Sequence, residues 1–324
     1  MKHNEIIKIV LKNRSNISKS KILCIGDIIL DQYIHGRVER FSPEAPIPIL
    51  IYEKETFELG GIGNVARNIS SLGGNVTIIK LFGSDANSKK INCMLSDIDN
   101  IKKLDIRVDN FQTPLKTRFI NNTSHIVRVD RENKNFKVDK SSKKKILDTI
   151  IRNIKKHDLV LLSDYNKGFL DRELIKKIIK LCNIYKKIII IDPKKIDLSI
   201  YSNADFITPN QKEITDAMKK KFLNKKNLKK YGMQIIRKYN IKNVLITRSE
   251  KGMLLLDKNY IYNYKAIAKK IIDVTGAGDT VLAVLGLMLA IGLDKELATL
   301  ISNFAASIVI NKKGTSTMTY SDLK

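Results

Sequence analysis

Six short, almost wholly apolar runs limit what this chain can fold into more than any other feature. They are Lys21-Ile22-Leu23-Cys24-Ile25-Gly26-Asp27, Val76 to Leu81, Leu159 to Leu162, Ile188 to Ile191, Phe206 to Thr208 and Val244 to Thr247. A strand without polar alternation has to be covered on both faces, as in a parallel sheet. Helical patterns fill the intervals, at 64–72, 86–96, 141–156, 171–185, 211–218 and 227–239. Strand alternating with helix means βαβ units with right-handed crossovers. The expected fold class is α/β, with a largely parallel central sheet and helices on both faces. At 324 residues and 43% hydrophobic content, the chain can fill one large core, and no repeat or low-complexity linker divides it. A short amphipathic helix is expected over 4–12, inside an N-terminal extension (1–20) ahead of a single domain (21–324).

Two segments break the alternation. Residues 33–57 carry Pro43, Pro46 and Pro48 among β-prone residues, and 113–131 run through Thr117-Arg118-Phe119 and Ile126-Val127-Arg128-Val129. Both read as antiparallel excursions that form a small sheet beside the main one, since proline suits edge strands. A lid over a pocket and a plain surface hairpin both fit this pattern.

Charge and minor residues narrow the function classes. There are 59 Lys+Arg against 33 Asp+Glu, a net charge of +26, which first suggests a nucleic-acid partner. The lysines are scattered, however, with only short clusters at Lys143-Lys144-Lys145 and Lys219-Lys220-Lys221, and 6% aromatic content without Trp leaves few platforms for bases. Attraction of anionic substrates is the milder consequence, and no nucleic acid is expected. Cys24, Cys93 and Cys182 are too far apart for a redox or metal pair, so a reduced, cytoplasmic setting is expected. The apolar run Val281 to Leu293 is too short to span a bilayer, and residues 1–20 lack the apolar centre of a secretory signal, so no membrane is expected.

Just before that run stands Asp273-Val274-Thr275-Gly276-Ala277-Gly278-Asp279-Thr280. Glycines weaken a helix start unless backbone has to approach something closely. Free N–H groups at a helix N-terminus attract anions such as phosphate. A carboxylate in the same place makes sense if Asp279 handles a proton, although a turn capped by Asp279 or Thr280 would look alike. Gly60-Gly61-Ile62-Gly63-Asn64 opens a helix near Asn64, whose amide can donate to and accept from hydroxyl groups. Asp27 and Asp31 follow the first strand, and Asp192-Pro193-Lys194 closes another, at the rim where α/β sheets bind ligands. Asn210 and Glu213 lie three apart at a helix start, which suits either a magnesium water shell or a capping box. Thr247-Arg248-Ser249-Glu250-Lys251-Gly252 supplies hydroxyls, a cation and a glycine turn, either a phosphate contact or a hairpin. The Gly-x-x-x-x-Gly-Lys, Gly-x-Ser-x-Gly and His-Glu-x-x-His motifs are all missing.

Taken in order, these pieces resemble the PfkB, or ribokinase-like, family of sugar kinases. Asp273 to Asp279 matches its most specific motif, Gly60-Gly61 with Asn64 its sugar-binding motif, and Asn210-x-x-Glu213 its magnesium–nucleotide motif. Gly26-Asp27, Leu30-Asp31, Ser42-Pro43-Glu44-Ala45-Pro46-Ile47-Pro48, Asp164-Tyr165-Asn166-Lys167-Gly168, Ile191-Asp192-Pro193-Lys194 and Gly314-Thr315-Ser316-Thr317 resemble its heptose 7-phosphate kinase branch. The likeness runs over about residues 20–317.

The resemblance implies ATP-dependent phosphorylation of D-glycero-β-D-manno-heptose 7-phosphate at the anomeric C1 hydroxyl, toward ADP-heptose and the lipopolysaccharide core. Asp279 would be the base, with the amides of Gly276, Ala277 and Gly278 stabilising the transferring group. ATP and Mg²⁺ would engage Asn210, Gln211, Lys212, Glu213, Thr247, Ser249, Gly252 and Asn303, with Asn210 and Glu213 ordering the metal's water. Asp31, Gly60, Gly61, Asn64 and Asp192 would hold the sugar, and Lys116, Arg118, Arg128 and Lys194 its 7-phosphate. A homodimer paired through the lids is implied. Many proteins of the branch carry a C-terminal adenylyltransferase with a His-x-Gly-His motif; the motif is missing here, and no such domain is expected. Asn166 for a usual glycine, Leu59 for a frequent proline, and Asn311 and Lys313 near the adenine pocket depart from the pattern. Another PfkB-type kinase, for ribose, fructose or a nucleoside, remains the alternative.

Overall fold

The computed structural model describes residues 3–122, 124–219, 225–267 and 271–323. Lys220 and Lys221 of the second lysine cluster lie outside them. The chain begins with α1 (His3–Lys12) and α2 (Arg14–Lys19), then β1 (Lys21–Gly26), β2 (Ile28–Phe41), β3 (Pro48–Gly61), α3 (Ile62–Ser71), β4 (Asn75–Phe82), α4 (Ala86–Ser96), β5 (Ile101–Arg107), β6 (Leu115–Asn121) and β7 (Ser124–Arg131). It continues with α5 (Lys140–Ile154), β8 (Leu159–Ser163), α6 (Arg172–Ile184), β9 (Ile188–Asp192), β10 (Phe206–Ile207), α7 (Gln211–Ala217), α8 (Lys225–Tyr239), β11 (Asn243–Thr247), β12 (Met253–Leu256), β13 (Ile261–Tyr264), α9 (Ala277–Ala290) and α10 (Lys295–Val309).

Nine strands form the main sheet, in the order β13-β12-β11-β10-β9-β8-β1-β4-β5. Each expected apolar run is one of its strands, and those pair in parallel. Alternate residues of β1 serve opposite cores: Ile22 and Cys24 pack with α3, α9 and α10, whereas Leu23 and Ile25 pack with α5, α6 and α8. That double coverage is why these strands can be apolar throughout. The sequence pattern did not announce β5, β12 or β13. The first is an edge strand with lysines and an aspartate among its apolar residues, and the other two are four-residue antiparallel additions. Ile6, Val10 and Ile17 are buried in the same core as Ile22, so the N-terminal segment packs against the domain as two short helices. No described helix is long and apolar enough to cross a membrane.

The segments around 33–57 and 113–131 do form a second sheet, in the order β3-β2-β6-β7. Its outer pairs are antiparallel, but β2 and β6 run parallel, because main-sheet strand β4 and edge strand β5 intervene in the chain. Pro48 opens edge strand β3, where a missing N–H costs no ladder bond. β2 and β3 also extend inward, to Ile28 and Gly61, so the small sheet grows directly out of the rim of the large one.

One buried charge belongs to the scaffold alone. Lys80 on β4 is 1% exposed and its Nζ lies 2.8 Å from Asp105 Oδ1 on β5. Removing one partner of such a pair strands the other charge. Asp105→Ala should therefore lower unfolding free energy by about 3 kcal/mol in urea titrations, and an unchanged midpoint would show that the pair is not structural.

Candidate active site

The strand ends put carboxylates on one rim. Asp27 follows β1, Asp164 follows β8 and Asp192 ends β9, while the N-terminus of α9 points to the same place. Gly276 precedes α9 with φ 78° and ψ 0°, a left-handed conformation that favours glycine. Asp279 sits in the first turn of α9 and is 6% exposed. Its Oδ2 accepts from Asn64 Nδ2 at 2.9 Å and its Oδ1 from the Tyr165 hydroxyl at 2.8 Å. The Asn64 amide is oriented by its neighbours, since Arg67 and Asn68 both donate to its Oδ1, at 3.3 and 3.2 Å. Arg67 is in turn anchored on Glu58 and on the Thr315 carbonyl. Asn68 accepts from Thr280 on α9 at 3.0 Å, which locks α3 to α9.

Strands β2 and β3 bring in the sugar-binding candidates. Asp31 is 5% exposed and its Oδ1 lies 2.5 Å from Arg118 Nη1. Gly60 pairs with Ile29, two residues before Asp31, and a Cβ there would fall 2.3 Å from Asp31 Oδ2, so glycine lets the two strands keep this carboxylate where it is. Of the four cations read as phosphate ligands, Arg118 is thus tied to Asp31. Arg128 lies across the β6–β7 pair from Arg118 but is exposed and held by Asp130. Lys194 bridges Glu213 at 2.6 Å and Asp192 at 3.4 Å. The Lys116 ammonium makes no salt bridge or hydrogen bond among the described residues; its Nζ, like that of Lys194, lies 5.4 Å from the Tyr165 ring centroid.

A cavity of about 360 Å³ opens beside the start of α9, lined by Ala277 and Gly278 together with Asn210, Thr247, Ser249 and Asn303. Gly252 also lines it. A Cβ on Gly278 would meet nothing within 4 Å, so its backbone faces open space. Gln211 and Lys212 line an adjoining opening of about 990 Å³ with Asn210 and Thr247. Asn210 and Glu213 form a full capping box at the start of α7. The helix cap is therefore real, and Glu213 Oε1 is additionally held by Lys194. Arg248 lines both openings and is 6% exposed, yet among the described residues its guanidinium donates to neutral oxygens alone, those of Lys251, Met253 and Asn263, and its Nε has no partner.

Burial pushes the Asp279 carboxyl above the usual carboxylate range, while the donors on Asn64 and Tyr165 pull it back toward the charged form. Burial also raises Asp192, against the pull of Lys194. Burial lowers Lys116. Asp27, raised to about 6 by burial and by Asp164, accepts three backbone N–H groups and is occupied in holding the loop after β8. A buried carboxyl group beside an anion-attracting helix end, with hydroxyl-binding groups on one side and an open cavity on the other, has the parts needed to move a proton while a charged group is transferred. Tyr165 and Arg67 were not singled out as site residues from sequence, and Arg248 entered only within the Thr247–Gly252 stretch read as either a phosphate contact or a hairpin. Arg67 carried one faint signal, its spacing of three from Asn64 on one helix face.

A family model described as pfkB family carbohydrate kinase matches residues 19–322. The bifunctional protein HldE of Helicobacter acinonychis (strain Sheeba) is 43% identical over 297 residues, covering 91% of this chain and 63% of its own length. The protein of the same name from Campylobacter concisus (strain 13826) is 39% identical, over 94% of this chain and 64% of its own. The chain thus spans somewhat less than two thirds of these relatives. Among solved structures, phosphofructokinase-2 from Escherichia coli in complex with potassium superposes with a TM-score of 0.80 at 19% identity, covering 94% of this chain and 96% of that one. Arabidopsis thaliana ribokinase complexed with ribose and ATP gives 0.72 at 17%, covering 94% and 97%. At such identities the two structures establish the ribokinase-like fold.

Gly60→Ala should push the Asp31 carboxylate aside without touching the cavity beside the start of α9. Turnover of a sugar acceptor is expected to fall about a hundredfold, the cost of a displacement near 1 Å, with nucleotide affinity by calorimetry unchanged. Full turnover in Gly60→Ala would remove Asp31 from the site.

Proposed function

The chain belongs to the pfkB family of carbohydrate kinases, and from that premise we propose that it transfers the γ-phosphoryl group of ATP to the anomeric C1 hydroxyl of D-glycero-β-D-manno-heptose 7-phosphate. The product would be the 1,7-bisphosphate, on the route to ADP-heptose and the lipopolysaccharide core. The motifs of the heptose 7-phosphate kinase branch support this substrate. The observation that favours a phosphorylated acceptor is Lys116, an ammonium lowered by burial, near Asp31 and with no carboxylate bonded to it. Such a group has most to gain from an incoming phosphate.

In this reading Asp279 takes the proton of the attacking hydroxyl, and Asn64 and Asp31 orient the sugar, with Gly60 and Gly61 allowing its close approach. The amides of Gly276 and Gly278, backed by the α9 dipole, lower the energy of the charge that develops on the transferring group, whereas that of Ala277 donates to the Val274 carbonyl and would have to be released to join them. Thr247, Ser249, Gly252 and Asn303 line the nucleotide cavity, with Gln211 and Lys212 at its mouth, and Arg248 offers a phosphate its uncompensated charge. Lys194 and Asp192 stand between the two halves, while Arg118 fixes Asp31. Asn210 lines that cavity and Glu213 stands one turn behind it; with both side chains engaged in the capping box and Glu213 also by Lys194, they would reach Mg²⁺ only through water. When bound, the ion would shield the nucleotide phosphates.

The small sheet supports a homodimer. β7 is exposed along its whole length, with Val127 50% and Val129 52% exposed, an edge that a second copy would cover. Val127→Asp should then sediment as a monomer where the parent chain sediments as a dimer; a monomeric parent chain would contradict this.

ADP release with MgATP should be fast with heptose 7-phosphate and slow with fructose and ribose. Asp279→Asn should lose roughly two to four decades of kcat with nucleotide binding intact. Lys116→Ala should raise KM for the phosphosugar about tenfold or more, the worth of a hydrogen bond to a charged group. Preference for an unphosphorylated sugar, or near-normal turnover by Asp279→Asn, would overturn the proposal.

A further inference from the structure

Tyr165 has no role in the reading above, yet its side chain stands where the two halves of the site meet. The loop that carries it is fixed from both sides. Asp27 Oδ2 accepts from the backbone N–H of Tyr165 at 2.9 Å and of Lys167 at 3.1 Å, and its Oδ1 from Phe169 at 3.3 Å. Asp164, fully buried, accepts from the Asn166 N–H at 2.9 Å, the Tyr201 hydroxyl at 2.7 Å and Lys195 Nζ at 3.2 Å. Asn166 takes up the turn with φ 55°. Two buried carboxylates thus serve one short loop, whose side chain reaching the site is Tyr165. Its hydroxyl donates to Asp279, and the ammoniums of Lys116 and Lys194 both lie within cation–π range of its ring.

We propose that Tyr165 is the positioning residue of the transfer step: its hydroxyl holds the Asp279 carboxylate in place as the base, and its ring steadies the two ammoniums that flank it. The proposal rests on Asp279 being the base of the proposed reaction. The direction of the hydrogen bond is settled by chemistry, since burial and the charges of Asp279 and Asp192 keep the phenol protonated and therefore a donor. The groups that face Asp279 are Asn64 from α3, Asp31 from β2, Tyr165 from the loop after β8, and Asp192 with Lys194 at the end of β9. Asn64, Tyr165 and Lys194 favour the carboxylate; Asp31 and Asp192 oppose it. Deleting the Tyr165 hydroxyl removes one donor to the charged form, so the proton is held to higher pH. Turnover needs the ionised acid, so the acid limb of the rate profile moves upward with it.

The test compares the full chain with Tyr165→Phe, which keeps the ring, and Tyr165→Leu, which removes both ring and hydroxyl. One readout is kcat against pH with MgATP and heptose 7-phosphate. The other, needing no acceptor, is the ¹³C titration of aspartate carboxyl carbons, with the Asp279 signal identified by its loss in Asp279→Asn. Tyr165→Phe should lose about tenfold or more in kcat, with its acid limb and the Asp279 titration both displaced upward by about one pH unit. Tyr165→Leu should show the same displacement and a raised KM for the phosphosugar. An unmoved Asp279 titration in Tyr165→Phe overturns the proposal, even if kcat falls, and so does an unchanged kcat. If the parent chain turns over no sugar while the titration still moves, the substrate reading fails and the Tyr165–Asp279 coupling stands.

Discussion

The carboxylate of Asp279 is held out of water by two hydrogen bonds donated from residues 215 and 114 positions away in the chain. Burying a charged carboxylate is costly, and left alone the group would take up a proton and be useless as a base. Three things oppose that here. The first turn of α9 favours a negative charge, the Asn64 amide donates to one oxygen, and the Tyr165 hydroxyl donates to the other. Each depends on a different part of the fold, so this buried carboxylate keeps its three supports only when α3, the loop after β8 and α9 are correctly docked.

Supports extend outward from there. Arg67 and Asn68 turn the Asn64 amide toward Asp279, and Arg67 is itself anchored on strand β3 and on the chain near Thr315. The strands that carry Asp31 and Gly60 continue without a break into the small outer sheet. Whatever moves that sheet also moves Asp31 and its Arg118 partner, so the floor and cover of the proposed sugar side move together. On the proposed nucleotide side, Lys194 ties the capping box of α7 to Asp192. A change in charge at Glu213 would therefore be felt at the acceptor side, across a distance spanned by one lysine.

The strands and the start of α9 are legible in the sequence. The apolar runs marked strands because both faces of the main sheet are covered, and the glycine–acid element marked the start of α9 because few other roles justify glycine there. What escaped was set by pairing across the chain. β5 mixes lysines with apolar residues because only one of its edges is paired, and β12 and β13 are too short to carry a pattern. Nothing local says that β2 and β6 run parallel. The same limit applied to charges: Arg118 and Lys194 read as free cations, whereas the fold supplies Asp31 to one and Asp192 with Glu213 to the other. Tyr165 stood in a stretch noted only for its likeness to one kinase branch, and its hydroxyl gains meaning only once Asp279 is beside it.

The most direct test is a crystal structure of the chain with a non-hydrolysable ATP analogue, Mg²⁺ and heptose 7-phosphate. The account predicts an Asp279 carboxylate oxygen within about 3.2 Å of the C1 hydroxyl, the reach of a general base, with that hydroxyl facing the terminal phosphate across the start of α9. A C1 hydroxyl beyond hydrogen-bonding reach of Asp279, approached instead by a different side chain, would contradict it.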